Sequence, residues 1–264
     1  MIGIFDSGVG GMTVARAIEQ VCPDYPIIYF GDIARTPYGS KSPETINRYS
    51  RNNTDFLLEQ GAKIIIIACN SASSTASENL KNHYDVPVRD VITPATKKAA
   101  AVTQNGRIGI IGTRATVQSG IYTRRIQAIQ PELNVFSTPC PLLVPLVEEG
   151  WLNRQETKMI IRRYLHPLRL KQIDTLVLGC THYPLLKDLI GARIGKRVSL
   201  IDSSIEMAKD VCHFLQDNNE IKNQLERCKT EKSRYYVSDM TDAVQNMASK
   251  IFGRKIHLEK ADVG

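Results

Sequence analysis

The sequence has no closely spaced cysteine pair. Its cysteines lie far apart along the chain, at Cys22, Cys69, Cys140, Cys180, Cys212 and Cys228. Structural zinc sites usually draw cysteine ligands about two to four residues apart, so this spacing excludes the common zinc motifs. Cys180 and His182 could supply two ligands, but no third or fourth ligand is recognisable near them. We therefore expect reduced thiols and no metal.

Long hydrophobic runs are also missing. The longest aliphatic segment, Ile64 to Ala68, is far too short to cross a bilayer, which takes roughly 20 apolar residues. Residue 1 leads into an apolar stretch without the basic residues that begin a secretory signal peptide. A content of 42% hydrophobic and 23% charged residues is ordinary for a globular protein. We expect a cytoplasmic protein with no membrane partner.

Acidic residues are fewer than basic ones, 27 against 34, which gives a net charge of +7 at pH 7. Such an excess fits either a polyanionic partner or a solvated basic face. The densest basic stretch, Arg154 to Lys171, spaces its charges around apolar residues such as Ile161 and Leu165, as an amphipathic helix would. No nucleic-acid-binding motif accompanies it. We favour a solvated helix face and do not expect nucleic acid as a partner.

Short apolar segments alternate with longer amphipathic ones. The apolar segments cover residues 2–5, 27–30, 64–68, 88–92, 108–112, 133–137, 175–179 and 198–202, and helix candidates at 11–21, 43–60 and 72–83 lie between some of them. Continuous β-branched runs separated by helices are typical of a parallel sheet covered on both faces. The sequence therefore predicts an α/β protein with mainly parallel sheets flanked by helices.

The two halves of the chain repeat one another. The segment IGIFDSGVGG from residue 2 is echoed by IGIIGTRATV from residue 108, and ACNSAS from residue 68 by GCTHYP from residue 179. Gly3 precedes Cys69 by 66 residues, and Gly109 precedes Cys180 by 71. Functional groups collect where parallel strands end. A duplicated architecture therefore predicts two pseudo-symmetric domains whose Cys loops face each other across a cleft.

The chain after Asp202 has its own pattern of elements. It predicts a helix over 203–215, a strand over 234–237 and a helix over 241–252. The strands of the first half stop near residue 92, so we expect this tail to return to the first domain. The predicted first domain comprises residues 1–92 and 205–264, and the second comprises 93–204.

Cys69 and Cys180 stand at corresponding points of the repeat. A single cysteine at a strand end is more often a small core residue than a nucleophile, but two matched ones are harder to explain by packing alone. A thiol at a helix N-terminus has its thiolate stabilised by the helix dipole and nearby donors, so we expect both pKa values below the usual value of about 8.5. Two such thiols on opposite sides of a molecule suit a cofactor-free racemase, because one removes a proton while the other donates one. Asp6 and His182 give each half a polar partner for its thiol.

The glycine-rich segment DSGVGG at residues 6–11 has a second interpretation, a phosphate cradle. It matches neither GxGxxG nor the lysine-containing P-loop, and Asp6 would repel a phosphate. An amino acid fits better, with Asp6 near its ammonium group and Ser7 and loop amides near a carboxylate. Polar segments at 35–42 and 112–117 add donors at other strand ends, although they are equally compatible with plain turns.

Six ordered motifs resemble those of the cofactor-independent aspartate/glutamate racemase family. They are GIFDSGVGG from residue 3, YFGDIARTPYGSKS from 29, ACNSAS from 68, IGIIGTRAT from 108, CPLLVPLVEEG from 140 and LGCTHYPLL from 178. The resemblance covers essentially the entire chain. It implies two α/β domains related by pseudo-twofold symmetry, no cofactor, a homodimer, and interconversion of L- and D-glutamate that supplies D-glutamate for peptidoglycan.

The resemblance also implies roles for individual residues. Cys69 would act on the D enantiomer with help from Asp6, and Cys180 on the L enantiomer with help from His182. Asp32 and Glu148 stand where the family has acidic residues near the site. Substrate contacts would come from Asp6, Ser7, Tyr38, Gly39, Asn70, Ser71, Thr113, Thr116, Thr181 and His182. Ser71 replaces the threonine usual in the family but keeps the hydroxyl.

Two alternatives stay open at this point. An aspartate or other amino-acid racemase of the same family would share both thiols, although it typically has Glu where this chain has His182. A two-lobed ligand-binding protein would close on its ligand without chemistry, but it would have no use for paired thiols. We therefore favour a racemase with glutamate as its substrate.

Overall fold

Ten strands form two separate sheets in the computed structural model, which describes residues 1–264. The first sheet holds β1 (Ile2–Asp6), β2 (Ile27–Gly31), β3 (Ile64–Ile67), β4 (Val88–Asp90), β9 (Arg234–Val237) and β10 (Glu259–Lys260). The second holds β5 (Arg107–Gly112), β6 (Asn134–Pro139), β7 (Thr175–Gly179) and β8 (Ser199–Asp202). Every strand pairing is parallel, so the predicted α/β fold is confirmed.

Twelve α-helices connect and cover these strands. They are α1 (Met12–Val21), α2 (Pro43–Glu59), α3 (Asn70–His83), α4 (Ile92–Val102), α5 (Arg114–Gln118), α6 (Ile121–Ile129), α7 (Leu143–Glu148), α8 (Gln155–Leu170), α9 (Lys187–Ile194), α10 (Ser203–Asp217), α11 (Asn219–Glu226) and α12 (Asp242–Phe252). Short 3-10 turns cover Ile33–Arg35, Tyr38–Ser40 and Tyr183–Leu186. None of the helices has the length and apolar character needed to span a membrane.

The sheet order explains where the functional loops meet. The first sheet runs β10-β9-β2-β1-β3-β4 and the second β6-β5-β7-β8. β1 and β3 are neighbours in register, with Phe5 opposite Ile67, so Asp6 and Cys69 emerge side by side. β5 and β7 are likewise neighbours, with Gly112 opposite Gly179, so Thr113 and Cys180 emerge together. Each sheet therefore brings two functional loops to one edge.

Alternating residues of the central strands pack on opposite faces of the first sheet. Ile2 and Ile4 belong to a large apolar core that continues into the second sheet, and Phe5 belongs to a smaller core under α2 and α3. Burial on both faces explains why these strands are unbroken apolar runs. The buried face of α1 packs against α10 and α12, which holds the loop before α1 in place.

The structure differs from the predicted elements in a few places. The predicted strand at 88–92 ends at Asp90, because Val91 adopts helical backbone angles and α4 begins at Ile92. Helix α11 and strand β10 were not predicted. The first sheet draws its strands from residues 2–90 and 234–260 and the second from 107–202. The domain bounds at 92/93 and 204/205 stay a prediction, and α4 and α10 pack together there.

Candidate active site

The loops after β1 and β7 meet between the two sheets. Thr181 Oγ1 donates to Asp6 Oδ1 at 3.3 Å. Thr13 Oγ1, at the start of α1, donates to the carbonyl oxygen of Thr181 at 3.2 Å. All three residues are buried. The two halves of the chain therefore touch directly at these loops, and the expectation that the two Cys loops face each other across a cleft stays a prediction.

Glycines in the DSGVGG segment permit this close approach. A Cβ atom on Gly10 would lie 2.5 Å from His182 Nδ1 and 2.6 Å from Thr181 Oγ1. The Gly8 amide donates to Asp6 Oδ2 at 3.0 Å, so the loop already binds an internal carboxylate. The segment therefore packs one half of the chain against the other and positions Asp6, which disfavours the phosphate-cradle interpretation.

Cys69 caps the N-terminus of α3, directly after β3. The Ala72 amide donates to Cys69 Sγ at 3.4 Å, and Sγ lies 3.4 Å from Ser7 Oγ. The residue is only 5% exposed. Burial, reinforced by the negative charge of Asp6, raises the pKa of Cys69 to about 12. The expectation of a lowered pKa is wrong for Cys69, because lost hydration and the neighbouring carboxylate outweigh the helix N-terminus and the nearby donors.

Asp6 lies fully buried between the two halves of the site. Burial raises its pKa to about 6, while the charge of His182 and the amides of Gly11 and Gly8 act in the opposite direction. A carboxyl group with such a pKa exchanges protons near neutrality, which suits an acid/base assistant. Asp6 interacts electrostatically with both Cys69 and His182.

Cys180, His182 and Glu148 form a chain of polar groups. His182 Nδ1 lies 3.9 Å from Cys180 Sγ, and His182 Nε2 lies 3.2 Å from Glu148 Oε1. The carboxylate is out of line for a hydrogen bond, so Nε2 has an ion-pair contact but no hydrogen-bond partner. Burial opposes the charged imidazolium, but Cys180 and Glu148 together raise the pKa of His182 to about 10. His182 is therefore protonated at neutral pH.

The segment after Cys180 is not the regular helix that the sequence predicts. A 3-10 turn covers Tyr183–Leu186, and α9 starts only at Lys187. Cys180 therefore does not stand at the N-terminus of a regular α-helix, and the predicted stabilisation by a helix dipole is missing there. The charged group next to Cys180 is instead His182.

Tyr122 connects the surroundings of the two cysteines, and sequence reasoning missed it. Its hydroxyl donates to Asn70 Oδ1 at 2.7 Å, and its ring covers Gly179, where an added Cβ would lie 3.3 Å from Cε2. Asn70 Nδ2 is buried without a hydrogen-bond partner. Tyr122 lies on the buried face of the amphipathic helix α6, where an aromatic core residue is common, so nothing in the sequence distinguished it as a site residue. Thr13 was also missed, because its bond to Thr181 joins residues 168 positions apart in the sequence.

Hydroxyl groups form another wall of the site. Ser71 Oγ lies 2.9 Å from Thr113 Oγ1, which lies 3.1 Å from Thr116 Oγ1. Thr113 also caps α5, because the Thr116 amide donates to its Oγ1. Gly39 packs on Thr113, where an added Cβ would lie 2.9 Å from the threonine Cβ. These four predicted site residues therefore come together.

Asp32 and Tyr38 belong to a separate internal network. The Tyr38 hydroxyl donates to Asp32, and Asn53 Nδ2 donates to that hydroxyl at 3.0 Å. Arg35 Nε donates to Asp32 Oδ2 at 2.7 Å, and Ser238 Oγ donates to Oδ1 at 3.2 Å. Both side chains are completely buried. Their polar groups therefore fix the loop that carries Gly39, and the Tyr38 hydroxyl has no proton left to donate to a substrate.

A cleft of about 310 Å³ opens at the mouth of this region. It is lined by Thr36, Pro37, Gly39, Ser40, Thr113, Arg114, Pro141, Val144, Pro145 and Glu148. Cys69 and Cys180 do not line it, and each is only 5% exposed. The reactive groups are thus sheltered from water. No three His, Cys, Asp or Glu side chains converge in a way that could hold a metal ion.

Residues 11–210 match the family model described as Asp/Glu/Hydantoin racemase. The chain belongs to this family. The racemase is 45% identical to a glutamate racemase from Geobacter metallireducens, over 97% of this chain and 93% of that protein. The predicted family and a cofactor-independent racemase activity are therefore confirmed.

Solved structures of similar chains also cover the racemase almost completely. A glutamate racemase isoform from Bacillus anthracis superposes with a TM-score of 0.94 at 34% identity, covering 99% of this chain and 97% of that one. A glutamate racemase from Francisella tularensis in complex with D-glutamate gives a TM-score of 0.91 at 35% identity, with the same coverage. The racemase thus shares the complete two-sheet architecture of these proteins.

Proposed function

We propose that this racemase interconverts L- and D-glutamate with two thiols as its acid/base groups. The observation that carries the proposal is the matched placement of Cys69 and Cys180. Each follows a buried central strand, each lies in a loop that hydrogen-bonds to the other half, and each has its own polar surroundings. Inversion at carbon requires proton transfer on two opposite faces, and two such loops supply one group for each face.

Glutamate is supported as the substrate by one unpaired amide and a group of neighbouring hydroxyls. The amide Nδ2 of Asn70 is buried and unpaired, which is costly unless a ligand accepts its hydrogen bond. The hydroxyls of Ser71, Thr113 and Thr116 contact one another, and Thr113 lines the cleft. A dicarboxylic amino acid offers acceptors for both sets of donors, and the D-glutamate complex of the Francisella protein agrees with this choice.

The reaction in the L-to-D direction starts at Cys180. Protonated His182, supported by Glu148, stabilises a Cys180 thiolate, which takes the α-proton of L-glutamate. Cys69, whose pKa of about 12 keeps it protonated, then gives its proton to the opposite face of the α-carbon. The electron pair left by the first proton forms the new C–H bond. Turnover leaves a thiol at Cys180 and a thiolate at Cys69, so D-glutamate meets the base it needs for the reverse reaction.

Asp6 assists the exchange at Cys69 under this proposal. Its carboxyl group has a pKa of about 6 and lies close enough to affect the charge on Cys69. A proton held by Asp6 lowers the cost of the Cys69 thiolate, and an ionised Asp6 favours the thiol. We further propose, on the family resemblance, that the enzyme forms a homodimer and provides D-glutamate for peptidoglycan.

The direct test is incubation with L-glutamate in deuterated water containing EDTA and no pyridoxal phosphate. Optical rotation reports inversion, and NMR reports deuterium at the α-carbon. We expect inversion with deuterium incorporation for glutamate and little for aspartate run in parallel. Faster inversion of aspartate would assign the enzyme to the alternative substrate, and the absence of both activities would contradict the proposal.

A further inference from the structure

Helices α8 and α9 form a second concave site, which we call the basic pocket. It has a volume of about 330 Å³ and is lined by Arg162, His166, Arg169, Leu170 and Arg193. It shares no residue with the cleft that carries the cysteines. Four of its five lining residues have nitrogen-bearing basic side chains, so basic groups dominate its lining.

The helix period explains the convergence of these side chains. Arg162, His166 and Arg169 are separated by four and three residues, so they occupy one face of α8. The other face of α8 is buried through residues such as Ile161 and Leu165. Arg193 comes from the last turn of α9, which packs against α8. The basic stretch seen in the sequence is thus partly a pocket and not only a flat solvated face.

The arginines of the basic pocket have no internal counter-charge. None of the ion pairs in the structure includes Arg162, Arg169 or Arg193. Elsewhere, arginines such as Arg89 and Arg125 pair with Asp210 and Asp90. The lining residues of the basic pocket are all exposed, so water hydrates these charges in the free protein, and a bound anion would supply the missing counter-charge.

The shape and chemistry of the pocket favour a particular class of anion. A guanidinium binds phosphate oxygens through two parallel hydrogen bonds, and three guanidiniums offer more donors than a single phosphate group can accept. Leu170 is the only apolar residue in the lining, so little surface is available for a base or a sugar. We propose that the basic pocket binds condensed phosphate, meaning a chain of at least two linked phosphoryl groups. This site goes beyond the racemase reaction and does not rest on it.

The proposal is tested by titration calorimetry with inorganic tripolyphosphate. The pocket variant carries Arg162→Gln, Arg169→Gln and Arg193→Gln together. The control carries Arg227→Gln, Lys232→Gln and Lys255→Gln, which removes the same charge from exposed positions without ion pairs. We expect the pocket variant to lose at least about tenfold in affinity and the control to stay within about threefold of wild type. Circular dichroism checks that both variants are folded.

A parallel titration with a nucleoside triphosphate separates two sources of the same phosphate chemistry. Equal affinity for both ligands means that the phosphate chain alone is recognised, and tighter binding of the nucleotide means that the pocket extends beyond its lining residues. Either result supports the proposal if the pocket variant loses the affinity that wild type shows. The proposal would be overturned if wild type bound neither ligand. It would also be overturned if the pocket variant and the control lost affinity equally.

Discussion

The Tyr122 hydroxyl donates a hydrogen bond to Asn70 Oδ1 at 2.7 Å, and this bond joins the surroundings of both cysteines. Asn70 follows Cys69 directly, and the Tyr122 ring covers Gly179, which precedes Cys180. A donor on Oδ1 fixes the amide so that Nδ2 is left without a protein partner. The orientation of this potential substrate contact therefore depends on a side chain of the other half of the chain.

Tyr122→Phe should weaken substrate binding while leaving the fold intact. The variant removes one neutral hydrogen bond and frees the Asn70 amide to rotate, so we expect KM to rise about three- to tenfold with a smaller change in kcat. Tyr164→Phe is the control, because Tyr164 is half-buried and its hydroxyl has no hydrogen-bond partner in the structure. Steady-state kinetics check the prediction, and an unchanged KM in Tyr122→Phe would show that the bond does not orient Asn70.

Gly10→Ala should strongly reduce activity, whereas Gly8→Ala should not. The new methyl group at position 10 would lie 2.5 Å from His182 Nδ1 and must displace it or its loop. The nearest atom to a methyl at position 8 is Thr36 Oγ1 at 3.6 Å, an ordinary contact. Misplacing a catalytic group by about 1 Å can cost about 100-fold in rate, and we expect a loss of that order in kcat/KM. Similar activities for the two variants would argue against tight packing at His182.

Glu148→Gln should shift the alkaline limb of the pH–rate profile to lower pH. Cys180 and Glu148 outweigh burial and raise the pKa of His182 to about 10, so removing the Glu148 charge lowers that pKa. His182 would then lose its proton, and its support for the Cys180 thiolate, at a lower pH. Glu149→Gln, at the adjacent residue, is the charge-matched control. NMR titration of the His182 ring provides a readout independent of turnover, and profiles that coincide in both variants would rule out the role given to Glu148.

Asp90 should stabilise the fold in a pH-dependent way. Burial opposes its ionisation, but Arg125, Lys81 and Ser77 prevail and hold the pKa of Asp90 at about 2. Since this pKa lies below the unfolded value of 3.8, the stabilisation is present above about pH 4 and is lost as the pH falls toward 2. It amounts to about 2 kcal/mol at neutral pH. Urea unfolding of Asp90→Asn should show this loss at pH 7, and the exposed control Asp85→Asn should not.

Much of the fold and the identity of the site residues follow from local sequence. The runs around Ile4, Ile66 and Val177 are buried on both sheet faces, so their β-branched composition predicts central strands. The echo between the two halves predicts that the loops at Cys69 and Cys180 correspond. Pairing Cys180 with His182 needed no long-range information, because the two residues are only two positions apart in one turn.

Properties set by long-range contacts were not predictable. The pKa of Cys69 depends on its depth and on Asp6, which is 63 residues away along the chain, and local reasoning from the helix N-terminus gave the wrong direction. The role of Tyr122 depends on Asn70, 52 residues distant. The side chains of Asp32 and Tyr38 satisfy each other beneath the loop, which a motif alone does not show.

The most direct test of the two-thiol account is proton exchange in the single variants Cys69→Ala and Cys180→Ala. Each variant is incubated in deuterated water with L-glutamate and, separately, with D-glutamate. Both should lose inversion, and any remaining deuterium exchange should be confined to L-glutamate in Cys69→Ala and to D-glutamate in Cys180→Ala. Inversion at the wild-type rate in either variant would contradict the account, because a single thiol would then serve both faces of the α-carbon.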